Sequence, residues 1–175
     1  VIGLTFAQTV VSGYGIAVRI FSLIFLPATA VGKGVETMTG QNLGAGNKER
    51  AEKVANTGAK YTFLILTSIG AITFFFAYPI SAIFTKSPEV AAVSAEFLRY
   101  VSFSFGFIGV LRSYTGSFRG AGATITAAII SVGTLGLIRL PIAYLGSQTI
   151  GTIGVWAAFF ISNTGGALIA YYWYQ

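Results

Sequence analysis

The sequence predicts an all-α membrane protein, and three observations carry that prediction. Of its 175 residues, 54% are hydrophobic and only 9% are charged, whereas soluble domains average about 25% charged residues. The mean hydropathy is +0.75. Charge-free runs such as residues 61–84 exceed the roughly 20 apolar residues that a helix needs to cross a bilayer core.

The apolar runs divide into one partial and five full spans, separated by turn-like or charged sequence. Because the chain begins inside an apolar segment and without Met, we expect a fragment whose N-terminal part lies outside it. The predicted spans are residues 1–11 (partial) and about 15–38, 61–84, 90–115, 124–146 and 153–174.

Capping and helix-breaking residues support these boundaries. Asn47 is a predicted N-cap, and so is Ser87, which precedes Pro88 at the first helical position. Thr124 is predicted to cap the span that follows it. Three prolines inside spans predict kinks: Pro27, Pro79 and Pro141.

The basic residues predict the orientation of a multi-pass protein in the cell membrane. Five of them flank one side of the bilayer, with Arg112 close by, whereas Lys86 lies on the other side, with Arg19 and Arg99 near span ends. The positive-inside rule places the richer side, and with it the C-terminus, in the cytoplasm. The residues of that side are Lys48, Arg50, Lys53, Lys60 and Arg119.

Composition excludes several classes of function. The chain contains no Cys, His or Asp, and five Glu are its only acids. A Ser-His-Asp triad, a His/Cys metal site and a disulfide framework are therefore impossible within it, and we expect neither enzymatic activity nor a cofactor. The net charge is +6, but no basic helix face forms a surface for nucleic acid.

Two pairs of charged residues share a helix face. Lys33 and Glu36 are three positions apart. Either they form a salt bridge near the interface, with Lys33 extended towards water, or Glu36 binds or relays a cation. Glu96 and Arg99 have the same spacing and are predicted to form a structural ion pair.

Arg139 lies deep in its predicted span, two residues before Pro141. A proline leaves one backbone carbonyl of its helix without a donor. Arg139 therefore either bonds to such a carbonyl or to a distant Glu, or it faces a water-filled cavity.

Two octets read almost alike, "TGQNLGAG" at residues 39–46 and "TGSFRGAG" at residues 115–122. Each contains Gly-x-x-x-Gly, which lets helices approach closely, and ends in Gly-Ala-Gly, which suits a helix C-cap. Neither ends in the Gly-Lys-Ser/Thr of a phosphate loop. We predict equivalent turns at the same membrane depth, with Glu36 paired to Arg112. The turn residues are Gly40, Gln41, Asn42, Gly44 and Gly46, then Gly116, Arg119, Gly120 and Gly122.

Residues 16–54 resemble the second helix and following loop in the C-terminal half of MATE (multidrug and toxic compound extrusion) transporters. The resemblance rests on Arg19, Pro27 and a Gly-Gln-Asn-x-Gly-Ala-Gly loop that Arg50 follows. The segments "FRGAGAT" and "IRLPIAYLGSQTIGTIGVW" are similar to later family motifs. Because the region near Ile108 lacks an Asp, the chain looks more like the prokaryotic DinF-like branch than the NorM-like branch.

The resemblance implies that residues 1–175 are most of the C-terminal six-helix lobe of a twelve-helix transporter. It implies export of organic cations or drugs by alternating access, in exchange for Na⁺ or H⁺. The coupling ion would bind in the N-terminal lobe, so the expected partners are that lobe, the bilayer and a small organic cation.

Polar and aromatic side chains are candidates for the lining of such a central cavity, where ring faces meet cations. Alternatively, each aromatic side chain faces the lipid on the outside of the bundle. The candidates are Gln8, Phe21, Phe25, Tyr100, Phe103 and Phe105. Two other functions compete with drug export: a related flippase for lipid-linked sugars or a cell-wall precursor, and a membrane scaffold without transport.

Overall fold

The structure is a computed structural model that describes residues 8–175, and these residues are helical with short turns and no strand. Residues 1–7, with most of the predicted partial span, lie outside the described part. A π-helical segment, Thr134–Arg139, joins the fifth helix to the sixth. The helices are α1 (Gln8–Gly44), α2 (Lys48–Phe84), α3 (Pro88–Ser102), α4 (Phe105–Gly120), α5 (Thr124–Gly133), α6 (Leu140–Thr149) and α7 (Thr152–Tyr174).

Within the described residues, four helical stretches are long and apolar enough to cross a membrane: α1, α2, the continuous stretch Thr124–Thr149, and α7. The predicted span 90–115 corresponds to α3 and α4, which a turn at Phe103–Ser104 separates. These helices confirm the all-α membrane class.

The predicted break between residues 11 and 15 is wrong, because α1 runs unbroken from Gln8 to Gly44. Gly13 lies inside the predicted break and serves helix packing in the structure. A Cβ atom placed on Gly13 would lie 2.7 Å from the side chain of Val93 on α3. The glycine therefore lets α3 approach α1 within a continuous helix.

Two of the three predicted N-caps are confirmed. The Asn47 side chain accepts a hydrogen bond from the Arg50 backbone N–H at 3.0 Å, so α2 begins at Lys48, ahead of the predicted membrane span 61–84. Ser87 accepts one from the Val90 N–H at 3.4 Å. The third prediction is wrong, because Ala123 is the N-cap and Thr124 is already helical.

Both octets end in the same C-capping turn, as predicted. Gly46 and Gly122 have φ values of 76° and 79°, a left-handed conformation that favours glycine. The Asn47 N–H bonds to the Asn42 carbonyl at 2.8 Å, and the Ala123 N–H bonds to the Phe118 carbonyl at 2.8 Å. These six-to-one bonds define Schellman motifs, so both octets stop a helix by the same hydrogen bonds.

The two octet-bearing helices, α1 and α4, cross in direct backbone contact. Cβ atoms placed on Gly32 and Gly40 would lie 3.1 Å and 3.2 Å from the carbonyl oxygens of Arg112 and Gly120, respectively. Cβ atoms placed on Gly116 and Gly120 would collide with carbonyl oxygens of α1. The glycines thus act at a close helix crossing. Gly44 has nothing within 4 Å of such an atom and takes no part.

The crossing shows that the octets lie side by side on one side of the bundle. Gly120 lies against Glu36 and Gly40, although its counterpart in the first octet is Gly44. The helix α4 is therefore displaced by about one helical turn relative to the alignment of the octets. The predicted common side is confirmed, with this shift in depth.

The three intrahelical prolines have different effects. Phe76, three residues before Pro79, leaves the helical conformation at φ −101° and ψ 16°, which marks a kink in α2. The helix α1 stays α-helical through Pro27. Before Pro141, the chain forms the π-helical segment, in which the Leu140 N–H bonds to the Leu135 carbonyl. The hydrogen-bond pattern of the helix therefore changes just before Pro141, which has no N–H to donate.

We expect Gly120→Ala to destabilise the full-length protein by about 1–3 kcal/mol, because the added methyl group overlaps the carbonyl oxygen of Glu36. Gly44→Ala is the matched control from the first octet, where a methyl group meets nothing. Thermal unfolding of the purified protein in detergent measures both. Equal stability of the two variants would contradict the close crossing.

Candidate functional site

A cavity of about 410 Å³ lies between α1, α4, the π-helical segment and α7. Its volume falls within the range of about 300–1,000 Å³ that small-molecule sites occupy. Two arginines line it together with aromatic, aliphatic and hydroxyl side chains, so it combines apolar walls with fixed positive charge. The lining residues are Phe21, Ser22, Phe25, Ile108, Leu111, Arg112, Thr115, Ser131, Thr134, Leu135, Arg139 and Asn163.

Arg139, the last residue of the π-helical segment, is held rigidly by α7. Its Nε donates to the Ser162 hydroxyl at 2.8 Å, and its Nη2 donates to the Asn163 side-chain oxygen at 2.6 Å. The guanidinium also lies over the Phe159 ring, 4.4 Å from its centroid, a cation–π contact. Of the sequence-based alternatives, the position in a cavity fits this geometry, because Arg139 bonds to the side chains of Ser162 and Asn163 and not to a backbone carbonyl or a Glu.

Asn163 connects Arg139 to the turn between α3 and α4. Its Nδ2 donates to the Ser104 hydroxyl at 2.9 Å, and that hydroxyl donates to the Val101 carbonyl at 2.7 Å. Ser104, Ser162 and Asn163 are all buried, where polar groups need partners. The network therefore fixes the interrupted span against α7 and orients the arginine.

Arg112, on α4, is the second charge in the cavity, and its guanidinium lies 5.6 Å from the centroid of the Phe25 ring. A neighbouring cavity of about 690 Å³ shares Phe21, Ser22 and Arg139 with the first. Arg139 therefore stands at the boundary of the two cavities and is accessible from both.

Two of the six predicted cavity residues, Phe21 and Phe25, line the cavity. Phe105 is buried in the core at 1% exposure. Phe103 is exposed and packs against Phe74, with ring centroids 5.1 Å apart. Neither Tyr100 nor Gln8 belongs to either cavity, and both are exposed. Phe105 is therefore wrong as a cavity residue, because the sequence does not show which face of a helix turns inward. That Gln8, Tyr100 and Phe103 line a central cavity between two lobes stays a prediction.

Glu36 forms an ion cluster at the crossing of α1 and α4, apart from the cavity. Its Oε2 lies 2.9 Å from Lys33 Nζ and 3.7 Å from Arg119 Nη1. The predicted pair of Glu36 with Arg112 is wrong, because the shift of α4 brings Arg119 beside Glu36. No ion pair joins Glu96 to Arg99 among residues 8–175, so that prediction is also wrong.

Sequence reasoning missed the polar partners of Arg139, namely Ser104, Ser162 and Asn163. One signal was available, since Asn163 is the only amide in the sequence of α7. A single amide in an apolar span marks an interhelical hydrogen bond. The two serines carry no comparable signal, because serine hydroxyls also bond within their own helix.

Comparisons with known proteins identify the family. A family model described as MatE matches residues 1–145. The chain belongs to the MatE family. It is 31% identical to the probable multidrug resistance protein YpnP of Bacillus subtilis strain 168 over 97% of the chain and 39% of that protein. It is 25% identical to a FAD transporter of Shewanella oneidensis over 94% of the chain and 36% of that protein.

The fold of this MatE chain is also found in a solved transporter. The Vibrio cholerae MATE transporter VcmN in its bent form matches with a TM-score of 0.93 and 22% identity, over 98% of this chain and 39% of that chain. The MatE chain thus spans about 39% of the length of its first relatives. As members of a transporter family, such chains are not enzymes.

We expect Asn163→Leu to lower the stability of the full-length protein by about 1–3 kcal/mol. The change removes the hydrogen-bond partner of both Arg139 Nη2 and the Ser104 hydroxyl and leaves these two groups without it. Asn42→Leu is the matched control, since the Asn42 amide bonds only to the Met38 carbonyl of its own helix. Chemical or thermal unfolding measures the difference. If both variants lose the same stability, the network does not hold α7 to the α3–α4 turn.

Proposed function

We propose that this chain is the C-terminal lobe of a secondary transporter that exports small organic compounds across the cell membrane by alternating access. One observation carries the proposal: a cavity with fixed polar groups lies in a helical bundle of a MatE-family chain that contains four apolar, membrane-length stretches. One of its walls is the π-helical segment, which interrupts an otherwise α-helical stretch. A second interruption, the α3–α4 turn, is bonded to the cavity residue Asn163 through Ser104. Interrupted helices at a substrate cavity are a recurring feature of secondary transporters.

The coupling ion, Na⁺ or H⁺, is proposed to bind in the N-terminal lobe. The five glutamates are the only acids of this chain, and none of them lines the cavity in residues 8–175. For the same reason, the charge of an organic cation would have to be met by residues outside this chain. The cytoplasmic position of the octet turns and of the C-terminus belongs to the same proposal and rests on the basic loops.

Efflux from cells tests the transport proposal. The full-length gene is expressed in a bacterium that lacks its own drug exporters, and the loss of preloaded ethidium and norfloxacin is followed with and without a Na⁺ gradient. Energy-dependent efflux above the empty vector supports export, and its dependence on Na⁺ identifies the coupling ion. Accumulation equal to the empty vector for both compounds would contradict drug export.

We expect Glu36→Gln to leave efflux within about twofold of the wild type. Glu36 lies outside the cavity and bonds to Lys33 and Arg119, and such partly exposed ion pairs contribute about 0–1 kcal/mol to stability. Glu89→Gln, an exposed carboxylate at the start of α3, is the control for loss of one charge. Loss of ion-coupled efflux in Glu36→Gln alone would instead assign Glu36 to cation relay.

A further inference from the structure

We propose that the cavity binds an oxyanion, a phosphate or carboxylate group, of the compound that the transporter moves. Arg139 is the principal ligand and Arg112 supplies the second positive charge. The inference rests on the proposed transport function and specifies its substrate class. It replaces the sequence-based expectation of an organic cation at this particular site.

The charge balance of the cavity is the first argument. Arg112 and Arg139 line it, and no acidic residue does. The ion pairs among residues 8–175 are Lys33–Glu36 and Arg119–Glu36, so neither cavity arginine is neutralised by a carboxylate of this chain. An ionisable group inside a membrane is a functional candidate, and two like charges in one cavity favour a negatively charged ligand.

The geometry of Arg139 is the second argument. A guanidinium carries five N–H groups, and the structure uses one on Nε and one on Nη2 for Ser162 and Asn163. The two N–H groups of Nη1 and the second one of Nη2 remain for a ligand. Because Phe159 and α7 hold the guanidinium in place, binding a planar or tetrahedral oxyanion costs little side-chain entropy.

The remaining lining groups indicate the rest of the ligand. The hydroxyls of Ser22, Thr115, Ser131 and Thr134 each donate to a backbone carbonyl of the preceding turn. Their hydrogens are therefore occupied, and they offer only acceptor oxygens. Aromatic and aliphatic side chains make up most of the other walls. The site thus suits an apolar or aromatic body that carries one oxyanion, with the anion at the arginines.

An internal ion pair is the competing assignment. In it, a carboxylate from the rest of the full-length transporter neutralises Arg139, and the arginine stabilises the fold without contacting substrate. The two assignments differ in the accessibility of the guanidinium. An oxyanion site exchanges with added phosphate, whereas an internal ion pair does not.

Arginine labelling of the wild-type, full-length protein tests the proposal without any variant. The protein in detergent is treated with phenylglyoxal, and modification of each arginine is followed by peptide mass spectrometry in sodium phosphate or in sodium chloride of equal ionic strength. We expect phosphate to slow modification of Arg139 and Arg112 at least threefold and to leave the exposed Arg19 and Arg99 unchanged. Equal rates at Arg139 in both salts, or no modification of Arg139 in either, would overturn the proposal.

Phosphate binding to variants provides a second, independent measurement by titration calorimetry. We expect Arg139→Gln to weaken phosphate binding at least tenfold, Arg139→Lys to weaken it less, and Arg99→Gln, outside the cavity, to leave it unchanged. Wild-type affinity in a folded Arg139→Gln protein would overturn the proposal. If Arg139→Gln fails to fold, two measurements decide instead. Arg139→Lys keeps the positive charge at this position, and the labelling experiment uses the wild-type protein.

Two further probes distinguish the source of the oxyanion and separate this inference from the transport function. Flavin mononucleotide is a soluble phosphate ester, and dihexanoyl phosphatidylglycerol carries a lipid headgroup. The probe that protects Arg139 at the lower concentration identifies a soluble or a lipid substrate. Uptake of the same probe into proteoliposomes tests transport separately. Protection of Arg139 without uptake supports the oxyanion site and contradicts transport of the probe. Uptake without protection supports transport and contradicts the oxyanion site.

Discussion

The close crossing of α1 and α4 is the contact on which the rest of the bundle depends. Backbone meets backbone there through Gly32, Gly40, Gly116 and Gly120, so no side chain separates the two helices. Lipid tails are as apolar as leucine, and helices in a membrane therefore associate through such close packing and through polar contacts. The Thr39 hydroxyl adds a polar contact across the same crossing, because it donates a hydrogen bond to the Ser117 hydroxyl at 3.3 Å.

The position of this crossing determines which charges meet. With α4 displaced by about one turn relative to the octet alignment, Arg119 reaches Glu36 and Arg112 lies beside Phe25 in the cavity. At the other end of α4, the Ser104–Asn163 bond fixes the helix against α7. A helix held at both ends presents Arg112 at a defined position in the cavity that Arg139 also lines, and the two arginines give the cavity its uncompensated positive charge.

Local sequence was often a good guide where a structure depends on neighbours in the chain, although the Thr124 cap and the Glu96–Arg99 pair were wrong. Asn47 and Ser87 cap helices because their side chains reach a backbone N–H three residues ahead. Gly46 and Gly122 end helices because they adopt positive φ. The Lys33–Glu36 bond is also local. Where two elements must meet, sequence was a weaker guide, as Arg112, Phe105 and the missed Asn163 show.

The sequence by itself determined the membrane class, the helical content, the octet turns and the family, because composition, capping and motif chemistry are properties of short segments. Tertiary structure alone decided the register of α1 against α4, the break at Phe103–Ser104 facing α7, and the partners of Arg139. These depend on how far one helix slides and rotates against another. A shift of one turn changes every interhelical pair while leaving each helix, and thus each local sequence signal, unchanged.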